Sequence, residues 1–172
     1  MIMIIAVMIE LLVSICAMWF LTFLSTFLHE LGHALGYMFA TRDRHWHIRV
    51  GWGKRLLHTK ALTVNLLVFD GVFTPLDNKI DTRAKQITTL SGGPAVSLLL
   101  VLGLSVLRFG GVSFQSDLLA DGAIEFFLKY AFFLNLCILL LSVAPVHYFY
   151  GEIKGMETDG LQIFHALKKD GD

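Results

Sequence analysis

Charged side chains are scarce in this 172-residue chain, at 16% of its residues, whereas soluble domains carry about 25%. Hydrophobic residues make up 55% of the chain, and its mean hydropathy is +0.66. So few charges among so many apolar side chains exclude an ordinary water-soluble domain and indicate a protein that uses lipid as part of its solvent. The length favours a single domain over residues 1–172.

The chain also has few cysteines and no formal net charge. The two cysteines, Cys16 and Cys137, both lie in apolar runs, which predicts two small buried hydrophobic side chains rather than a disulfide or a metal-binding pair. The formal net charge is zero with histidine neutral, so the chain lacks the basic balance of a nucleic-acid-binding protein. We therefore expect a lipid bilayer, and no nucleic acid, among its partners.

Long apolar runs are what the chain does have. Three of them, at about residues 7–39, 87–107 and 124–144, approach or exceed the roughly 20 residues that a membrane-spanning helix needs. They predict an all-α polytopic membrane protein with a core of three transmembrane helices. The Asp-Gly pair at 159–160 opens a short amphipathic helix, which completes a C-terminal segment at 158–168.

The region between the first two apolar runs, residues 41–85, has a different character. His45–Trp52 and Ala61–Val68 have the composition of strands, and the polar stretch Gly53–Lys60 between them has the composition of a turn. We expect a membrane-associated β-hairpin or small sheet between helices 1 and 2.

The distribution of positive charge predicts the topology. Nine of the fourteen basic residues fall in the region 41–85, namely Arg42, Arg44, Arg49, Lys54, Arg55, Lys60, Lys79, Arg83 and Lys85. By the positive-inside rule this region is cytoplasmic, which places the N-terminus outside and the C-terminal tail inside. The expected location is a multi-pass position in the cell (inner) membrane, with the end of the first helix near the cytoplasmic face.

Three ionisable residues interrupt the end of the first apolar run, in the sequence His29-Glu30-Leu31-Gly32-His33. Positions i and i+4 lie on one face of a helix, so both imidazoles are able to bind a single Zn²⁺. Glu30 directly follows the first ligand, where a general base for a zinc-activated water is required. Ionisable residues inside a spanning segment are expensive, which favours a functional role for all three.

A catalytic zinc site also needs a third protein ligand. The candidates lie after the third apolar run and on the same predicted side of the membrane: His147, Glu152, Glu157 and Asp159. Their spacing does not choose among them. The histidines at 45, 47 and 58 are more typical of an exposed hairpin.

These residues resemble the site-2 protease family of intramembrane zinc metalloproteases, in a minimal form. The similarity extends over approximately 21–164 and includes the HExGH helix, a GFG-type strand, a second glycine-containing strand, a glycine-proline helix start and an Asn…Asp-Gly end. In this chain the matching residues are His29–Leu35, Val50–Lys54, Val68–Phe73, Gly92–Pro94, Asn135 and Asp159-Gly160.

The resemblance implies one Zn²⁺ bound by His29, His33 and Asp159, with Glu30 as the base and Asn135 holding the substrate backbone or the developing oxyanion. It implies a metalloendopeptidase that cleaves transmembrane segments of membrane-protein substrates, with an edge strand of the hairpin holding the substrate extended. Asn135 and Asp159 are 24 residues apart, against about eight in the family pattern. We therefore expect Asp159 to arrive from a re-entrant or interfacial segment.

Two other functions fit the same composition. One is a catalytically inactive membrane scaffold of the same fold, against which the intact His29, Glu30 and His33 argue. The other is a metal-handling membrane protein, which has no need of a glutamate beside its first ligand and for which three helices make a poor transport path.

Overall fold

The computed structural model describes residues 2–77, 79–109, 121–149 and 151–168. It contains four helices and a two-stranded antiparallel sheet. In chain order these are α1 (Ile2–Thr41), β1 (Trp46–His58), β2 (Leu62–Pro75), α2 (Arg83–Phe109), α3 (Asp121–Val143) and α4 (Asp159–Lys168). Three helices are long and apolar enough to cross a membrane: Met3–Thr41, Arg83–Phe109 and Gly122–Val143. The predicted arrangement of three apolar helices, a small sheet and a short C-terminal helix is confirmed in this coarse form.

Helix α1 is longer than the predicted 7–39. It contains 40 residues, about 60 Å at 1.5 Å per residue, and no proline or glycine precedes Gly32 to interrupt it. The side chains from Met3 to Val13 are exposed, so the first third of α1 contacts none of the other described elements closely. The part of α1 that organises the fold begins near Trp19.

The sheet packs on one face of α1. Trp19, Phe23 and Phe27 recur every four residues and stack along that face, with ring centroids 6.0 and 5.8 Å apart. They cover a buried apolar cluster that includes Ile48 and Val50 of β1. The indole N–H of Trp19 also donates to the carbonyl of a β2 residue, over 2.7 Å. The sheet is thereby fixed alongside the helix that carries the His29–His33 motif.

The two strands are longer than predicted, and both are bent, so that one part of β1 pairs with two separate parts of β2. Ile48–Val50 lies between Gly71–Phe73 on one side and Leu62–Val64 on the other, while the later part of β1 pairs with the first part of β2. The stretch 53–60, predicted as a turn, instead continues β1 to His58. Gly51 and Gly53 have φ of 76° and 83°, which allows the strand to bend and continue where other residues would end it.

Helices α2 and α3 pack on other parts of α1. Gly32 of α1 and Gly92 of α2 bring their backbones into direct contact, so that neither position has room for a Cβ atom. Tyr130 of α3 bonds the hydroxyl of Thr22 over 2.6 Å, about two turns before the motif. Small residues at such crossings are typical of helices that pack within a membrane.

The predicted burial of the two cysteines is wrong. Cys16 and Cys137 are both free thiols, as expected, but both are exposed on their helices. Cys137 lines a cavity between α1 and α3, and Cys16 lies on an apolar stretch of α1 whose surface is exposed. An apolar neighbourhood in a spanning helix therefore does not imply burial.

Candidate metal centre

The centre of the candidate site is the last third of α1. His29 and His33 are both buried and lie one helical turn apart, with their Nε2 atoms 3.3 Å from each other. Their positions follow directly from the i, i+4 spacing in the sequence.

Asp159 reaches the two histidines from the far end of the chain. It is the first residue of α4, and the loop before it is closed by Thr158, whose hydroxyl bonds the carbonyls of Ala144 and Val146. Gly160 lies directly against the Val143 carbonyl at the end of α3, where a Cβ atom would not fit. The aspartate therefore enters the site at the start of a short helix, and the long link from Asn135 is folded into a compact loop.

The three side chains meet in a nearly equilateral arrangement. The Asp159 Oδ2 atom lies 3.4 Å from His29 Nε2 and 3.3 Å from His33 Nε2, and the two nitrogens are 3.3 Å apart. Ligand atoms at about 2.0–2.1 Å from a tetrahedral zinc ion are roughly 3.3–3.4 Å from one another. The three atoms thus have the separations of three corners of a tetrahedral zinc site.

The outer nitrogens of both histidines are held by α2. His33 Nδ1 donates to the Thr89 carbonyl over 2.9 Å, and His29 Nδ1 bonds the Ser97 hydroxyl over 2.8 Å. Because a carbonyl only accepts, Nδ1 of His33 carries its proton and leaves the Nε2 lone pair free for a metal. Such partners fix the tautomer and orientation of metal-binding histidines.

Two further observations fit a metal ion at this position. Asp159 Oδ2 is buried without a hydrogen-bond donor among the described residues, which is costly for a carboxylate oxygen unless a cation faces it. A Cβ atom on Gly93 of α2 would lie 2.8 Å from His29 Nε2 and closer still to His33 Nε2. A glycine at position 93 therefore leaves space beside the two Nε2 atoms. The residues present fit a zinc ion in ligand type, separation and surroundings.

The two histidines also determine the protonation state of Asp159. Burial alone raises the pKa of its carboxyl, but the adjacent His29 and His33 outweigh burial and hold the pKa at about 2. The carboxylate is thus in the ionised form that metal binding requires.

Glu30 lies at the junction of two cavities. One, of about 220 Å³, is lined by His33, Asp159 and polar groups of α4 and its preceding loop, and the other, of about 140 Å³, lies between α1 and α3. His29, Glu30 and Gly71 line both. A Cβ atom on Gly71 would lie 2.6 Å from the Glu30 carboxylate, so β2 comes as close to that carboxylate as its backbone allows.

Asn135 lies on α3 outside this cluster. Its amide nitrogen donates to the Ser25 hydroxyl of α1 and to the Ala131 carbonyl, while its Oδ1 is buried without a hydrogen-bond donor among the described residues. It lines neither of the two cavities beside Glu30. The structure shows Asn135 linking α3 to α1 one turn before His29, and its role toward a substrate stays a prediction.

The other three candidates for the third ligand have different partners. Glu152 forms an ion pair with Arg49 over 3.3 Å, and Glu157 forms one with His165 over 3.2 Å. His147 forms an isolated backbone bridge with Glu157. Of the four candidates, Asp159 is the one that the structure groups with His29 and His33.

A second group of metal-ligand types, Asp43, His45 and Asp77, lies near the end of α1. Lys79 already forms ion pairs with both carboxylates, with Nζ 3.1 Å from Asp43 and 3.5 Å from Asp77. Hydrogen bonds from Tyr37 and Lys79, against the effect of burial, hold the pKa of Asp43 at about 2. We interpret this group as an ion-pair network that fixes the exit from α1.

Sequence reasoning missed the α2 groups that support the histidines. Ser97 and Thr89 hold their outer nitrogens, and Gly93 leaves space beside their inner ones. The Gly92-Gly93-Pro94 run was the available signal in the sequence. Only the packing of α2 on α1 shows that Thr89, Gly93 and Ser97 contact the two histidines. Comparison of the chain with protein-family models, with curated proteins and with solved structures finds no match to any of them.

Proposed function

We propose that this chain is a zinc-dependent intramembrane endopeptidase that cleaves membrane-protein substrates in or near their transmembrane segments. The observation that carries the proposal is the meeting of His29, His33 and Asp159 at tetrahedral-zinc separations, with Glu30 beside them in an open cleft. The motif's resemblance to site-2 proteases supports the same function. No part of the proposal depends on a relative, because none matches.

His29, His33 and Asp159 would hold the ion, while Ser97 and Thr89 keep the two imidazoles in place. A bound zinc ion supplies Lewis acidity, lowering the pKa of a water ligand toward about 7 and polarising a peptide carbonyl. Glu30 accepts the proton from the attacking water and returns it to the leaving amine.

The substrate backbone has to be extended before water is able to attack it, because a helix buries its peptide groups. The β2 segment Asp70–Phe73 borders the cleft beside Glu30, and on its other side it pairs with β1. We propose that an unwound stretch of substrate lies along this segment, in the manner of strand addition. The excess of basic residues in the region 41–85 supports a site toward the cytoplasmic face of the bilayer, by the positive-inside rule.

The two alternatives predict different behaviour from the same residues. A silent scaffold has no use for a buried carboxylate between two cavities, and a metal-handling protein requires a path for the ion rather than a glutamate beside it. Both alternatives predict that the unmodified chain and the Glu30 variant alike leave a peptide uncleaved, because neither function includes hydrolysis.

The test compares Glu30→Gln with Glu10→Gln, a matched control in which the same change is made at an exposed position of the same helix. Each protein is purified in detergent, its bound zinc is measured, and cleavage of a transmembrane peptide is assayed. We expect Glu30→Gln to retain zinc and to lose at least about 10²-fold in rate. Glu10→Gln should match the unmodified chain.

Asp159→Asn is compared with Asp81→Asn, an exposed position outside the site, for the ligand assignment. Zinc should be lost from the first variant and kept by the second. Cleavage that survives Glu30→Gln would refute the mechanism, and zinc that survives Asp159→Asn but is lost with His147→Ala or Glu152→Gln would refute the ligand set.

A further inference from the structure

The smaller of the two cavities beside Glu30 lies between α1 and α3 and plays no part in holding the metal. Its α3 wall consists of Leu134, Cys137, Ile138 and Leu141, which are spaced i, i+3, i+4, i+7 and so form one stripe of the helix. Its α1 wall includes Thr22 and Thr26, which lie about two turns and one turn before the motif residues, respectively. The cavity therefore extends from the catalytic carboxylate toward the middle of the apolar helices.

Three hydroxyl groups in these walls are already bonded within the protein. The Thr22 hydroxyl bonds the Met18 carbonyl and Tyr130, that of Thr26 donates to Val68, and that of Ser142 donates to Leu139. The carboxylates of Glu30 and Asp70 line another part of the cavity, whereas a ligand at its α3 side consequently meets aliphatic side chains and hydroxyls whose donor capacity is used. Such a lining favours an apolar group over a polar one.

The size of the cavity, about 140 Å³, limits what it holds. A cavity of about 150 Å³ lined by aliphatic residues takes a benzene-sized molecule. We propose that this cavity is a specificity subsite for one medium-sized apolar side chain, such as leucine or phenylalanine, adjacent to the cleaved bond of the substrate. The proposal rests on the proposed function and names the substrate class for the same site.

The position of the cavity beside Glu30 indicates that a side chain of the substrate occupies it. His29, Glu30 and Gly71 line both this cavity and the larger one that Asp159 lines. A peptide bound in the larger cavity therefore extends into the smaller one. The second cavity has Glu157, Asp159 and Gln162 in its lining beside apolar side chains, so it offers more groups that are able to bind water and peptide groups. A transmembrane segment supplies the leucine, valine and phenylalanine residues that the first cavity accepts.

The first experiment varies the residue on each side of the cleaved bond in one host peptide, using alanine, leucine, phenylalanine and tryptophan. At one of the two positions we expect kcat/KM for leucine or phenylalanine to exceed that for alanine and for tryptophan by at least about tenfold. Cys137→Phe fills the cavity and should lower the leucine-to-alanine ratio about tenfold, whereas Cys16→Phe, at an exposed position on α1, should leave the ratio unchanged. Leu134→Ala enlarges the cavity and should raise the relative rate for tryptophan.

The second experiment does not depend on hydrolysis. In a Cys16→Ser, Glu30→Gln protein, Cys137 is the sole thiol, and its rate of alkylation reports on access to the cavity. The leucine peptide should slow alkylation, and the alanine peptide should not. Protection without cleavage by the Glu30 protein would refute the protease and leave the subsite intact. Cleavage with neither protection nor a change in the ratio would refute the subsite alone.

Discussion

Gly93→Ala is the substitution that tests the geometry of the metal centre most directly. The added methyl carbon would lie 2.8 Å from His29 Nε2 and closer to His33 Nε2, whereas ordinary contact begins at about 3.5 Å. His29 would have to retreat by about 0.7 Å, and His33 by more. Metal–ligand distances hold to about 0.2 Å, and a functional constellation to about 0.5 Å, so the variant should not bind zinc tightly.

The fold should survive this change, because the atoms in the way are the ends of two side chains rather than backbone. Gly103→Ala is the matched control on the same helix, since a Cβ atom there meets nothing within 4 Å. We expect Gly103→Ala to keep one zinc per chain and a melting temperature equal to or slightly above that of the unmodified protein. Gly93→Ala should lose most of its zinc in the same preparation, measured by elemental analysis after gel filtration. Full zinc occupancy in Gly93→Ala would show that the three ligands do not meet as described.

Two smaller predictions concern the groups around the site. Ser97→Ala removes the partner of His29 Nδ1 and should weaken zinc binding by about 10–100-fold in a chelator competition, whereas Ser105→Ala, on the same helix, should not; equal affinities would assign Ser97 a packing role only. The pKa of Asp43 is about 2 in the folded chain, below its unfolded value of about 3.9, so its contribution to stability is complete above that unfolded value and falls as the pH is lowered toward 2. Asp43→Asn should flatten the loss of melting temperature between pH 4 and pH 2.5, and a slope as steep as that of the unmodified protein would refute the assignment.

The parts of the structure that sequence predicts well are those determined by local spacing. The three apolar runs became three long helices, and the i, i+4 spacing of His29 and His33 placed both imidazoles on one face. Both properties depend on residues within a few turns of one another. Helix ends were less accurate, because α1 contains no residue that forces it to begin at position 7 rather than at Ile2.

The position of Asp159 beside the two histidines was not predictable from spacing, because it depends on the path of a loop. Asp159 reaches the histidines only because Thr158 closes the segment after α3 and Gly160 lies against Val143. None of these contacts has a periodicity to detect. The predicted burial of Cys16 failed for a different reason, since a helix in lipid has apolar residues on its outer face as well as its inner one, and Cys137 is exposed because it lines a cavity.

Completion of the site and docking of α4 are the same event. Isolated helices as short as the ten residues of α4 are marginal, so its helical structure depends on its contacts with the rest of the chain. Those contacts are the close approach of Gly160 to α3, a hydrogen bond from Arg83 to the carbonyl of Leu167, and Asp159 itself beside the two histidines. The orphaned oxygen of Asp159 opposes this docking until a cation faces it, so the free energy of metal binding is partly free energy of folding for α4.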